Sequence, residues 1–130
     1  MQALPALVMC LAIAMYFWTI FNVGRARAKY GIATPATTGN ADFERVFRAQ
    51  QNTLEQLVMF IPCLWLFSQY AWPTWGAAIG LVWVIARVWY ALGYYAPTGK
   101  KRSAGMTVSV IALAVLFLGS LIGIGMTLAA

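Results

Sequence analysis

The sequence predicts an all-α integral membrane protein: one domain over residues 1–130, folded as an up-down bundle of four transmembrane helices. Three observations carry that prediction. The chain is 62% hydrophobic and only 9% charged. Soluble domains hold about 25% charged residues, and a chain this apolar could not face water without large sticky patches. Residues 3–23, 57–86 and 103–130 contain no charge at all, and a spanning helix needs about 20 apolar residues. The basic residues gather at two connecting segments, which is the asymmetry that orients membrane helices.

The helices are expected at 3–29, 43–70, 75–95 and 104–129. Helix 1 opens on Met1-Gln2-Ala3-Leu4-Pro5, lacks the basic start of a secretory signal, and is too long for a signal core, so it reads as a retained span. Helix 2 follows Thr37-Thr38-Gly39-Asn40-Ala41-Asp42, with Asp42 as the expected N-cap and Glu44 favoured in the first turn by the helix dipole. Tyr70-Ala71-Trp72-Pro73-Thr74-Trp75-Gly76 breaks the long middle block and reads as a tight turn into helix 3. Gly99-Lys100-Lys101-Arg102-Ser103 opens helix 4. Three cations there oppose the helix dipole, which suits either a bound anion or lipid headgroups.

All basic residues except Arg87 lie near the 30s loop or the 96–103 loop, so the net charge of +6 sets topology and is not a nucleic-acid signal. Both termini are expected on the non-cytoplasmic side. A bacterial inner membrane and an endoplasmic-reticulum membrane satisfy this bias equally. Cys10 and Cys63 are isolated and read as small buried hydrophobes. With no histidine in the chain, a His-based catalytic dyad is excluded, and no metal-ligand spacing occurs.

The segment from Glu44 to Glu55 carries the functional signal. At 100° per residue Arg48, Asn52 and Glu55 fall within about 60° of one another, with Gln51 flanking them, while Gln50 points to nearly the opposite face. Polar groups at membrane depth are costly unless protein or water answers them, so this stripe predicts a wet site lined by protein. Glu55 lies roughly 13–17 Å into helix 2, and Arg87 about 12 Å inside the matching end of helix 3. Their similar depth predicts a Glu55–Arg87 ion pair, since either charge alone would cost about 2.5–3.5 kcal/mol. Arg87, Tyr90 and Tyr94 share one helical face, which turns both tyrosines inward; Tyr95 reads as an interfacial anchor.

Two blocks of sequence resemble one known family. The first is Thr37-Thr38-Gly39, then Phe43 to Gln50, Asn52 and Glu55. The second is Ala86-Arg87, Tyr90, Gly93-Tyr94-Tyr95, Lys101-Arg102-Ser103 and Gly105. In this order and topology they resemble the membrane-associated proteins in eicosanoid and glutathione metabolism (MAPEG), in the branch of microsomal glutathione transferases and the leukotriene-forming synthase. The resemblance implies a homotrimer with its sites between subunits, glutathione as co-substrate, no metal, and a lipophilic electrophile or lipid hydroperoxide as the second substrate. It implies that Arg48, Asn52, Glu55, Tyr90 and Tyr94 hold glutathione from one subunit. Arg27, Gln50 and Arg102 would reach it from the neighbour, with Arg102 as the catalytic residue that stabilises the thiolate. Lys101 is the alternative cation for that role, and Gln56 stands where the synthase has Tyr.

Three other functions compete. A non-catalytic, lipid-presenting scaffold of the same fold would lack a full set of glutathione contacts. Small multidrug exporters depend on an acid in the first helix, and none is present here. Proton-coupled transport through Glu55 is the remaining alternative.

Overall fold

The structure, a computed structural model, describes residues 2–130. It comprises α1 (Ala3–Tyr30), α2 (Ala41–Tyr70), α3 (Pro73–Tyr95) and α4 (Arg102–Ala129). Of these, α1, α3 and α4 are long and apolar enough to cross a membrane. The first half of α2 carries all three acids of the chain, which lowers its apolar character.

The helix ends follow local chemistry. The N-cap of α2 is Asn40, not the expected Asp42: the Asn40 side-chain oxygen accepts from the Phe43 backbone N–H at 3.0 Å. Asp42 lies inside the first turn and pairs with Arg45. An amide oxygen two residues earlier satisfies the same orphan donors, so the helix gains two residues at its start. Similarly, α3 begins at Pro73 because proline at the first helical position has no N–H to leave unsatisfied. α1 stops at Gly31, whose φ of 68° is the left-handed conformation that ends many helices.

A continuous apolar core joins the four helices. Val8, Ala12 and Met15 of α1 meet Phe60, Leu64 and Phe67 of α2, Trp83 and Val84 of α3, and Leu113 and Leu116 of α4. Phe60 and Trp83 stack at 3.9 Å between centroids. A smaller cluster of Val23, Ala26 and Phe43 closes the end where α1 finishes and α2 begins. Outward-facing Leu4, Leu7, Phe17, Phe21, Ile122 and Met126 remain exposed. Lipid or other subunits, rather than water, suit such a surface.

Two glycines draw the other helix ends together. A Cβ on Gly105 would lie 2.5 Å from the Tyr90 nitrogen, and one on Gly93 would lie 2.5 Å from the Lys101 carbonyl oxygen. Backbone thus meets backbone where α4 starts against the end of α3. This approach carries Arg102 to the tyrosines of α3.

Candidate functional site

Arg87 is the only charged side chain in the bundle with no exposed surface at all among the described residues. Its guanidinium donates to Thr53 Oγ1 at 2.9 Å and to Ser109 Oγ at 3.2 Å. Met106 Sδ lies 3.6 Å away, and the Tyr90 ring lies 4.0 Å from the guanidinium carbon. Two hydroxyls and an aromatic face therefore solvate the cation, and Nε is left without a partner among the described residues.

The expected Glu55–Arg87 ion pair does not form. The one ion pair among the described residues is Arg45–Asp42, and Glu55 is exposed. The physical reason is rotation about the helix axis. Thr53 and Glu55 are at nearly the same depth, yet two residues along a helix turn the side chain about 160° away. Thr53 faces α3, and Glu55 faces outward.

From Arg87 the aromatic chain continues toward the helix end. Tyr90 is fully buried, and its hydroxyl accepts from Asn52 Nδ2 at 2.6 Å. Tyr94 meets the edge of Tyr90 at 5.6 Å and is half-buried. The Arg102 guanidinium then lies over the Tyr94 ring at 4.7 Å and donates to the Gly99 carbonyl at 2.6 Å. Gly99, with a φ of 65°, shapes the turn that presents that carbonyl. Asn52, Tyr90, Tyr94 and Arg102 thus form one contiguous polar and aromatic run. Arg48 and Glu55 lie beside Asn52 on the same face of α2, both exposed and free of ion pairs among the described residues.

Other expected site residues are elsewhere. Gln50 donates through Nε2 to the Tyr16 hydroxyl at 2.9 Å, on the α1 side of α2. Arg27 donates to the carbonyls of Ala36 at 2.7 Å and Ile32 at 3.4 Å, and its guanidinium lies 5.0 Å over the Phe43 ring. It organises the 30s loop. Arg102 therefore stands with Tyr94 of its own chain, whereas the expectation grouped it with Arg27 and Gln50 on the neighbour's side. Gly93 and Gly105 explain the difference, since their lack of side chains lets the start of α4 lie against α3. Lys101 is exposed, with no side-chain bond among the described residues. Gln56 is buried and accepts from Trp83 Nε1 at 2.9 Å, facing α3 one turn further along α2 than Asn52. Tyr95 does more than anchor: it packs on Trp18 and accepts from Asn22 Nδ2 at 3.1 Å.

Sequence reasoning missed Thr53, Ser109 and Tyr16. Their signal was available in part, because Thr53 falls on the face of α2 opposite the charged stripe, where a hydroxyl must find an interior partner. Ser109 and Tyr16 belong to helices whose facing could not be assigned without α2 and α3 in place.

An apolar helical bundle with a cationic, aromatic run at one end and an Arg–Asn–Glu stripe alongside, its Arg and Glu exposed, defines the class as an integral membrane protein with a polar face at its basic end. Residues 5–122 match the model of the MAPEG family, and the chain belongs to that family. It is 51% identical over 120 residues to an uncharacterized protein of Synechocystis sp., covering 92% of this chain and 87% of the relative. Human microsomal glutathione S-transferase 2 is 40% identical over 121 residues, with 93% and 82% covered. Leukotriene C4 synthase of Cavia porcellus is 36% identical over 111 residues, with 85% and 73% covered.

Proposed function

We propose that this protein is a membrane-bound glutathione transferase that ionises the glutathione thiol and adds the sulfur to lipophilic electrophiles. It works as a homotrimer of four-span, up-and-down protomers, each a single domain, with the basic end in the cytoplasm. The observation that carries the reading is the run Asn52–Tyr90–Tyr94–Arg102, with Arg48 and Glu55 exposed beside it. Similarity to named glutathione S-transferases and a leukotriene C4 synthase supports it.

The chemistry of glutathione matches the groups on offer. The ligand has two carboxylates, an amine and a thiol. Arg48 meets a carboxylate, because a guanidinium binds two oxygens in parallel. Glu55 and Asn52 take the amine and the peptide. Tyr90 and Tyr94 border the ligand, and Arg102 faces the sulfur. Arg27 and Gln50 contribute from the neighbouring subunit. Arg48 and Glu55 are exposed on an open face, so a site built on them needs walls from another chain.

A free thiol has a pKa of about 8.5, so only a few per cent is thiolate at neutral pH. Lowering it by about 2 units requires roughly 2.7 kcal/mol of preferential thiolate stabilisation. A guanidinium at hydrogen-bond distance in a partly dry site supplies that amount. Full ionisation raises thiolate only about 30-fold at pH 7. The remaining acceleration comes from holding the electrophile beside the sulfur. The thiol proton leaves to water at the polar end; the sulfur lone pair forms the new C–S bond, and the electrophile takes up the displaced electron pair.

The decisive experiment is the ultraviolet thiolate signal when glutathione is added to the purified protein in detergent. A saturable signal at neutral pH is expected, and Arg102→Ala should remove it while glutathione still binds. Glutathione bound by the parent protein without any thiolate signal would instead identify a scaffold.

A further inference from the structure

A second polar site lies on the other side of the bundle from the Arg48 stripe. It is a cleft of about 340 Å³ lined by Asn22, Arg25 and Lys29 of α1, Asp42 of α2, and Tyr95 of α3, with Ala26 as its buried floor. Water occupies about 30 Å³ per molecule in the liquid, so the space suits a chemical group rather than a single solvent molecule.

Its charge is unbalanced. Asn22, Arg25, Ala26 and Lys29 follow one another at helical spacing and present one face of α1. Arg25 and Lys29 are four residues apart, where like charges repel, and neither has an acid partner among the described residues. Each lies over an aromatic ring of its own helix, Phe21 and Tyr30 respectively. Asp42 does not neutralise them, because Arg45 occupies its carboxylate. A neutral hydrogen-bond donor completes the site. Tyr95 accepts from Asn22 at 3.1 Å, which leaves its own hydroxyl proton without an acceptor among the described residues.

The chain cannot supply the missing negative charge. It has nine cations and three acids. Asp42 is paired, and Glu44 and Glu55 lie on the opposite face of α2. The cleft opens where α1 ends and α2 begins, outside the charge-free part of α1, at the level where an embedded helix meets lipid headgroups.

We propose that this cleft binds the phosphate of an anionic membrane phospholipid, held between Arg25 and Lys29 with the Tyr95 hydroxyl as third donor. The site is separate from the glutathione reading and does not depend on it. The lipid tails run down the adjoining apolar surface of α1, which a free phosphate ion would leave unused.

Native mass spectrometry of the detergent-purified protein, supplied with phosphatidylglycerol or with phosphatidylcholine, tests this. About one phosphatidylglycerol per protomer should be retained, in preference to phosphatidylcholine. The double variant Arg25→Gln/Lys29→Gln should weaken retention about 30-fold, for two lost surface cations. Lys100→Gln/Lys101→Gln should leave it unchanged. Tyr95→Phe, which keeps the ring against Trp18, provides a second variant and should also weaken retention. Equal retention of both lipids, or retention unaffected by the double variant and by Tyr95→Phe, overturns the proposal. Displacement of the lipid by millimolar inorganic phosphate also overturns it and assigns the cleft to a soluble anion. Glutathione binding by the double variant should match the parent.

Discussion

Arg87 illustrates how a buried charge can be held without an opposite charge. Two hydroxyls, a thioether and a tyrosine face surround it, and the acid nearest in sequence depth points away. The consequence is testable by comparing two substitutions. Thr53→Val keeps the side-chain shape but leaves a guanidinium hydrogen unsatisfied, at a cost of about 1–3 kcal/mol. Glu55→Gln should leave stability unchanged, because no intrachain bond is lost. Loss of helicity on titration with sodium dodecyl sulfate measures both. A larger loss for Glu55→Gln than for Thr53→Val would mean that Arg87 draws its counter-charge from Glu55 after all. The two cations at the start of α4 separate in the same way. Arg102 lies on Tyr94 and Lys101 is exposed, so Lys101→Ala should keep the thiolate signal that Arg102→Ala loses.

At the scale of the helices, the position of α4 against α3 rests on glycine. A methyl on Gly105 would meet the Tyr90 nitrogen at 2.5 Å, the Tyr90 Cα at 2.7 Å and the Ala86 carbonyl oxygen at 2.8 Å. All three are backbone atoms and cannot rotate aside. Gly105→Ala should therefore cost about 1–3 kcal/mol, as overpacking does. It should also weaken the thiolate signal, since Arg102 lies one turn earlier on the same helix. Gly24 offers the control. No heavy atom lies within 4 Å of a Cβ built there, and Gly24→Ala should stabilise the mid-helix backbone by about 0.5–1 kcal/mol. Thermal unfolding of the two variants in one detergent should move in opposite directions.

For the whole molecule, the two groups of proposed glutathione ligands lie on different faces of the protomer. Asn52, Tyr90, Tyr94 and Arg102 form one group, and Gln50 with Tyr16 belongs to another. A site that uses both must lie between subunits. Arg48→Ala and Arg27→Ala should each be inactive alone. Coexpressed, they should recover about a quarter of the parent activity, the fraction of sites in a randomly mixed cyclic assembly that receive both intact residues. No recovery would mean that each site is built from a single chain.

The membrane class, the helices to within two residues and the basic end of the bundle were legible in the sequence. These follow from one-dimensional properties: a bilayer admits only internally bonded segments of sufficient apolar length, and charge is sorted to one side of it. The Arg48–Asn52–Glu55 stripe was legible for the same reason, because helical periodicity alone places residues on a common face. Which face meets which neighbour was decided only in three dimensions. Depth paired Arg87 with Glu55, but the rotation of α2 about its axis gave it Thr53 instead. Likewise, close backbone contact at Gly93 and Gly105 joined Arg102 to Tyr94 of its own chain, since a helix's rotation and approach are set by packing against its neighbours rather than by its own sequence period.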